Sequence, residues 1–555
     1  MLSNLTSGVQ MTSNIIANYY HTIKYLKFIQ IYGQLRYRFI KSKIPSALFP
    51  KQCKIKSTLI QPILKLAEMR DANTILLLNR EQDISSQGIW SEPKLDALWL
   101  YHLHYFDVLN AADLSCDRTW CYLLLKRWIN ENPPSLGSGW ESYTLSLRIV
   151  NWIKWLYVGH VAEPDILHSL ATQVRYLFTR LEIHLLGNHL LANAKALIYA
   201  GLFFVGHEAN QWLRKGLALF TREMAEQILA DGGHFELSPM YHSIILEDLL
   251  DIINLFKTHK KPIPDAWLNI YEKMLYWLEN MCHLDNEIAF FNDAALGVAP
   301  TLQELKKYAK RLNLNLKPLP TPSFVHLASS GYCRIQHQGV LLLTDIAEIR
   351  APYQPGHAHA DSLSFELSIQ QQRVIVNSGT STYAESDERL RQRGSKAHNT
   401  VVIDDQNSSQ IWKSFRVARR AKIHDIEINQ ADHTFMIRAS HDGYYRLDKI
   451  IHTRTWSVSN HLLLIHDRLS GKGQHKIELI FHIHPDIKLE QTDHNSIVFY
   501  DQKDMEIATL QTHHAIKVSD STYHPYFNVS LPNKKLIIEI IQELPVQFNT
   551  FITWN

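Results

Sequence analysis

The sequence predicts a multidomain chain, helical first and antiparallel β second, and three observations carry the prediction. Apolar residues recur every three and four positions from about residue 55 to 315. Three prolines in KPLPTPSF (317–324) then break the pattern. Beyond them, short apolar runs with period two take over. A chain of 555 residues also exceeds what one hydrophobic core usually supports. The boundaries that follow are an N-terminal helical extension (1–54), a helical domain (55–316), a linker (317–324) and a β domain (325–555).

Each part has its own signature. In the extension, TIKYLKFIQIYGQLRYRFIKSKI (22–44) mixes apolar residues with Lys and Arg. It reads as a basic amphipathic helix that docks on the protein, with contact to an anionic surface as the other reading. No uninterrupted run of about 20 apolar residues follows, so no transmembrane segment is expected. No secretory signal is visible, which leaves a soluble periplasmic, secreted or cytoplasmic location open. In the helical domain, SLRIVNWIKWLYVGHV (146–161), NHLLANAKALIYAGLFF (188–204), NQWLRKGLALFTREMAEQILA (210–230) and LEDLLDIINLF (246–256) are long and free of Pro. They read as successive antiparallel helices, about ten in all. Periodicity alone leaves a bundle, a solenoid and a closed toroid equally open. In the β domain, KIELIFHIH places Ile477, Leu479, Phe481 and Ile483 on one face, as a sandwich strand would.

Composition narrows the function classes. Hydrophobic residues are 46% and charged residues 20%, which excludes wholesale disorder and a coiled-coil rod. A net charge of +3 argues against a dedicated nucleic-acid binder. Five cysteines without a Cys-x-x-Cys pair form no disulfide framework or zinc ribbon and read as buried free thiols.

Polar clusters mark where chemistry could reside. PYQPGHAHADSLSFEL (352–367) carries His357, His359 and Asp361 after a Pro-Gly turn, and RVIVNSGTSTY and RQRGSKAHNTVVID follow it. Positions i and i+2 of a strand face one side, which suits two ligands or a base beside a ligand. A second His-x-His, His482 and His484, reads as a solvated strand face. The helical half offers Asn188 and His189 at a helix start, where Asn188 alone reads as an N-cap. It also offers DGGHFELSPMYH (231–242) with Tyr241, and FFNDAA (290–295). No nucleotide-binding glycine loop, GxSxG elbow or HExxH helix is present.

Taken in order, GNHLLANAKALIYAGLFF, DGGHFELSPMYHSIILEDLLDI, FFNDAA, GHAHADSLSFEL, VNSGTSTY and RQRGSKAHNTVVID resemble the heparinase II/III-like polysaccharide lyase family. The resemblance implies an N-terminal (α/α) toroid of helical hairpins followed by an antiparallel β-sandwich domain. It also implies β-elimination on a uronic-acid-containing polysaccharide in a cleft between them. Asn188 and His189 match the pair that faces the substrate carboxylate. Tyr241 matches the tyrosine that protonates the leaving oxygen and in some members is also the base, and His357 matches the catalytic histidine. A Tyr pKa near 10 would have to be lowered by nearby positive charge for base work.

His359 and His398 match zinc ligands, and Asn377 stands where the family has an Asp. Zn²⁺ there would be structural, and with Asn377 in that place either its affinity falls, Asp361 or another oxygen compensates, or the site is empty. Ala192 replaces an acidic residue of many relatives, which bears on the charge of His189. Arg393, Arg416 and Arg419, with Arg389, Arg391, Lys396 and Arg420, are expected to line a groove for an acidic polysaccharide. Two other readings stand beside the lyase. One is a glycoside hydrolase using two of Asp231, Glu236, Asp293 and Asp361. The other is a non-catalytic glycan-binding or exopolysaccharide assembly protein. On any of these readings the chain is a monomer or a homodimer.

Overall fold

The computed structural model describes residues 15–40, 48–54, 57–111, 118–160, 163–315, 322–431 and 433–555. Two short helices come first, α1 (residues 15–23) and α2 (Phe28–Phe39). The helical domain then runs through α3 (Ala97–Tyr105), α4 (Arg118–Glu131), α5 (Ser142–Tyr157), α6 (Pro164–Thr179) and α7 (Gly187–Phe203). It ends with α8 (His207–Gln227), α9 (Pro239–Thr258), α10 (Asp265–Asn280) and α11 (Leu302–Arg311). α5, α7 and α9 are buried along nearly their whole length and pack side by side. α6, α8 and α10 are amphipathic and cover them from outside. A helix that is apolar all round needs cover all round, so the odd helices form the inner layer of an (α/α) toroid.

The inner layer still holds charges, and they neutralise one another. Lys195 Nζ lies 2.6 Å from Asp248 Oδ1 and 2.5 Å from Asp251 Oδ2, and Lys154 Nζ is 2.6 Å from the same Asp251 oxygen. Tyr308 donates to Asp251 Oδ1 at 3.0 Å. Burial opposes the Asp251 charge, but the two ammonium groups hold its pKa below the ordinary carboxylate range. Removing one partner of a buried ion pair strands the other. Asp251→Ala is therefore expected to cost about 3–5 kcal/mol of stability, read as a lowered denaturant midpoint.

Two sequence expectations need correction here. Residues 57–96 are not helical apart from a 3₁₀ turn at Gln87–Ser91. They contain a small antiparallel sheet of β1 (Glu68–Met69), β2 (Thr74–Leu77) and β3 (Arg80–Asp83). Leu78 and Asn79, both at positive φ, make its hairpin turn, and Ile75 and Leu77 alternate inward. The linker is also shorter at its end, because β4 (Phe324–Leu327) starts on its last residue. Residues 316–321 lie outside the described residues.

The β domain opens with a five-stranded antiparallel sheet in chain order: β4, β5 (Tyr332–His337), β6 (Val340–Asp345), β7 (Phe365–Ile369) and β8 (Gln372–Ile375). Every residue of β6 is buried. Val340 and Leu342 face a core shared with an eight-stranded sheet, while Leu341 and Leu343 pack against Trp277 and Met281 of the helical domain. That double burial explains the unbroken VLLL run. A four-stranded sheet centred on Gln474–His482 completes the layers, with Ile477, Leu479, Phe481 and Ile483 in the same core. His482, read as solvated, is instead fully buried, and its Nε2 bonds the Lys396 carbonyl at 2.9 Å. Cys121, Cys282 and Cys333 are buried thiols, Cys53 is half-buried, and Cys116 lies outside the described residues.

Candidate active site

Four chain segments converge where the toroid meets the first sheets. Gly187 opens α7 at φ +57°, and a side chain there would collide with Gln354. This turn sets Asn188 and His189 in the first turn of the helix. The cap position is Leu186, so Asn188 is not the N-cap. Asn188 is buried and its Oδ1 has no partner. His189 stays 30% exposed, rests on Tyr143 and contacts Glu182 Oε1 through Nδ1 at 3.2 Å.

Glu182 answers the absence of an acid at position 192. Its other carboxylate oxygen and its backbone N–H are held by the Asn193 side chain, which aims the free oxygen at His189. Burial works against an imidazolium at His189, but the Glu182 carboxylate outweighs it and the pKa is raised. That charge is present at low pH and lost as pH rises through the raised value. Glu182→Gln is expected to lower the pKa of His189, read by NMR titration of its imidazole.

Ser238 caps α9 by accepting from the Tyr241 N–H, and Pro239 starts the helix. The cap presents Tyr241 to the β domain. Its ring lies 4.0 Å, centroid to centroid, from that of His357, and its hydroxyl is 3.1 Å from the Tyr383 hydroxyl. Burial pushes the Tyr241 phenol well above 10, with the neighbouring Tyr383 adding to the shift. The positive charge that base work would require does not prevail there.

Asp293 anchors the other side. It is fully buried and receives His357 Nδ1 at 2.8 Å, His359 Nε2 at 2.8 Å and both terminal nitrogens of Arg389, Nη2 at 2.6 Å from Oδ2. Burial opposes its charge, but Arg389 and the two imidazoles hold the carboxyl well below 3.8. With Nδ1 occupied, His357 turns Nε2 toward Glu236, 3.7 Å away. Glu236 is buried, neither of its oxygens is bonded, and burial raises its pKa. It lines the same cavity as His357, Gln354 and the exposed Arg350.

A candidate ion site lies next to His357. His359 Nδ1 and His398 Nε2 face each other at 3.2 Å, and an Asp361 oxygen completes a group within 4.8 Å. Two nitrogens about 2.0–2.1 Å from a tetrahedral Zn²⁺ lie roughly 3.3 Å apart, so the spacing fits. Burial lowers His359 to about 4 and holds His398 well below 6.5, which leaves both rings neutral, as ligands must be. His359 also gives its second nitrogen to Asp293, the usual support for a metal-bound imidazole. Asn377 does not complete the set in this structure. Its Oδ1 accepts from the backbone N–H of Asn399 at 3.3 Å and from that residue's amide at 3.4 Å, and the acid facing the two imidazoles is Asp361.

The arginine-lined groove is a correction. Arg393 is fully buried and its guanidinium is spent on the carbonyls of Ala358 and Lys413. Arg416 lies over the rings of Tyr19 and Trp412, and Arg420 over Tyr25. Arg389 serves Asp293. Arg419 remains exposed but bonds Gln410. The basic run is mostly built into the structure, where it ties down the His357 loop and the N-terminal helices.

A helical toroid, stacked antiparallel sheets and a cavity at their joint lined by Glu236, Asn292, His357 and Asp361 define a toroid–sandwich protein. The family description "Heparinase II/III N-terminus" matches residues 109–314 and "Heparinase II/III-like, C-terminal" matches 319–554. The chain belongs to the heparinase II/III-like family. It is 27% identical over 273 residues to a heparin-sulfate lyase of Bacteroides stercoris, covering 45% of this chain and 41% of that protein. A heparin-sulfate lyase of Pedobacter heparinus is 26% identical over 331 residues, 53% of this chain and 49% of the relative. The chain thus spans about half the length of the curated relatives it matches. A heparinase III crystal structure superposes with a TM-score of 0.68 at 20% identity, over 83% of this chain and 78% of that one, and shares the fold.

Proposed function

We propose that the protein is a polysaccharide lyase that cleaves an acidic, uronate-containing polysaccharide by β-elimination. The observation that carries this reading is the contact of the Tyr241 phenol with the His357 imidazole, 4.0 Å between ring centroids and one ring from each domain. The C5 proton of a uronate is weakly acidic because its carboxylate is already negative. The Asn188 amide and the His189 cation neutralise that carboxylate and stabilise the developing enolate. Asp293 accepts the Nδ1 proton of His357, which leaves the Nε2 lone pair free to take the C5 proton. Electrons move from the C5–H bond into a C4–C5 double bond, the C4–O4 bond breaks, and Tyr241 delivers its proton to the departing O4. Tyr241 therefore acts as the acid, the form its raised pKa favours. Glu236, whose pKa burial raises against the pull of His357 and His189, faces His357 Nε2 in the same cavity.

The hydrolase alternative lacks a free carboxylate pair. Asp293 is enclosed by Arg389 and two imidazoles, and Asp231 is bonded to Ser330 and Gly233. Asp361 accepts from the Asn292 N–H and faces His359 and His398, which leaves Glu236 alone. The names of the curated relatives make a heparin- or heparan-type chain the first substrate to try, with bacterial exopolysaccharides next. A panel of uronate polysaccharides tests the reading. New ultraviolet absorbance from an unsaturated uronate supports it. New reducing ends without that absorbance would identify a hydrolase, and binding without either would identify a glycan-binding protein.

His359, Asp361 and His398 would hold a structural Zn²⁺, which would cross-link the His357 loop to the segment that carries His398. Elemental analysis of the purified protein is expected to find one zinc per chain, and chelation is expected to lower the melting temperature. Zinc-free protein of unchanged stability would refute the site.

A further inference from the structure

Helix α2 faces the wrong way for a helix of a water-soluble protein. Its buried residues are Gln30 and Gly33, whereas Phe28 is 82% and Phe39 72% exposed. Ile29, Ile31, Tyr32 and Leu35 are exposed with them, and Ile15, Ile16, Tyr19, Tyr20 and Ile23 of α1 extend the surface. Nearly half of the exposed large hydrophobic side chains among the described residues fall within 15–40. Surface helices bury their apolar stripe, and a clustered apolar patch marks a contact site.

The orientation is fixed by specific contacts. The Gln30 amide reaches the carbonyls of Leu185 and Tyr353, both at 3.3 Å. A side chain on Gly33 would come within 2.9 Å of the His184 backbone, so the helix approaches too closely to roll over. Tyr37 rests on the His184 ring at 4.4 Å, with the Arg180 guanidinium 3.8 Å from the tyrosine ring. At α1, Thr22 is bonded to the Trp412 indole at 3.1 Å. The polar side is held down and the apolar side is left out.

Charge names the occupant. The first 67 residues carry ten Lys and Arg and no Asp or Glu; Glu68 is the first acid in the chain. Lys24, Arg36 and Arg38 are exposed among the apolar residues. A second copy would set like charges against each other. An anionic lipid surface satisfies both features, because its acyl boundary takes the apolar side chains and its headgroups take the cations. No helix among the described residues is long and apolar enough to cross a membrane. We infer that α1 and α2 form an interfacial anchor that lays the protein on an anionic membrane surface, with Phe28, Tyr32, Leu35 and Phe39 inserted and Arg36 and Arg38 at the headgroups. Because α2 sits on His184 and Leu185, just ahead of Asn188 and His189, docking sets the cleft beside that surface. The anchor stands independently of the lyase reading, since binding needs no substrate.

Vesicle co-sedimentation of the full chain tests it. Wild type is expected to bind phosphatidylglycerol-containing vesicles and not pure phosphatidylcholine, with binding falling as salt rises. Arg36→Gln with Arg38→Gln is expected to weaken binding about 25-fold, and Phe28→Ser with Leu35→Ser and Phe39→Ser to abolish it. Circular dichroism and turnover of soluble polymer are expected to be unchanged. Absence of wild-type binding at low salt would overturn the inference, as would equal binding to both lipid compositions. A wild-type dimer that the triple variant converts to monomer would overturn it in favour of self-association.

Discussion

Tyr241→Phe is expected to lower kcat by about 10²–10⁴-fold while leaving KM for the acidic polymer nearly unchanged. The substitution keeps the ring that packs against His357 and removes only the hydroxyl that would protonate O4. Its structural cost is small, because the lost partner is the Tyr383 hydroxyl, one neutral hydrogen bond worth about 1 kcal/mol. Tyr383→Phe removes the same bond from the other end without removing the donor. It is expected to reduce kcat less than tenfold, and this contrast separates an acid from a packed phenol. Steady-state kinetics on the best polymer of the panel, with binding measured separately, decides the matter. A Tyr241→Phe enzyme that turns over within a few-fold of wild type would remove the proton donor from the mechanism.

The division into helical and β halves was legible because it is written in periodicity. Inner helices such as α5 and α7 are apolar nearly all round, and strands such as Gln474–His482 alternate. Residues 57–96 misled because apolar spacing in short extended runs mimics a helical stripe, and the turn residues Asp71, Asn73 and Asn79 were the better signal. Asn188, His189, Tyr241 and His357 were singled out through ordered motifs, and the structure sets the Tyr241 ring against that of His357. Glu182 was missed because the carboxylate that meets His189 arrives from the loop preceding α7, which no local pattern announces. Asp293 stood inside FFNDAA and was read as one spare carboxylate among four, since its partners lie 64 to 96 positions away. Arg393 and its basic neighbours misled for the opposite reason: composition records charge, and only packing shows that the charge is already spent on carbonyls.

Asp293→Asn is the sharper test of how the site is held together. The carboxylate balances the buried Arg389 guanidinium, and accepts from the imidazoles of His357 and His359. An amide of the same shape has one acceptor oxygen and no charge. Arg389, fully buried, is left without a counterion, a loss expected to cost about 3–5 kcal/mol of stability. The amide nitrogen also presents a donor to one imidazole, which favours the His357 tautomer with its proton on Nε2, where the C5 proton should go. A wrong tautomer in a comparable acid–imidazole arrangement lowers kcat about 10⁴-fold, and an effect of about 10³–10⁴-fold is expected here. Pairing Asp293→Asn with Arg389→Met separates the two roles. The double variant removes the stranded charge and is expected to recover much of the stability, as replacing buried ion pairs by apolar residues often does, yet not the rate. Denaturation midpoints and kcat measured on the same three proteins give the answer: recovery of both together would make Asp293 a structural counterion only, and recovery of stability alone makes it the residue that positions His357.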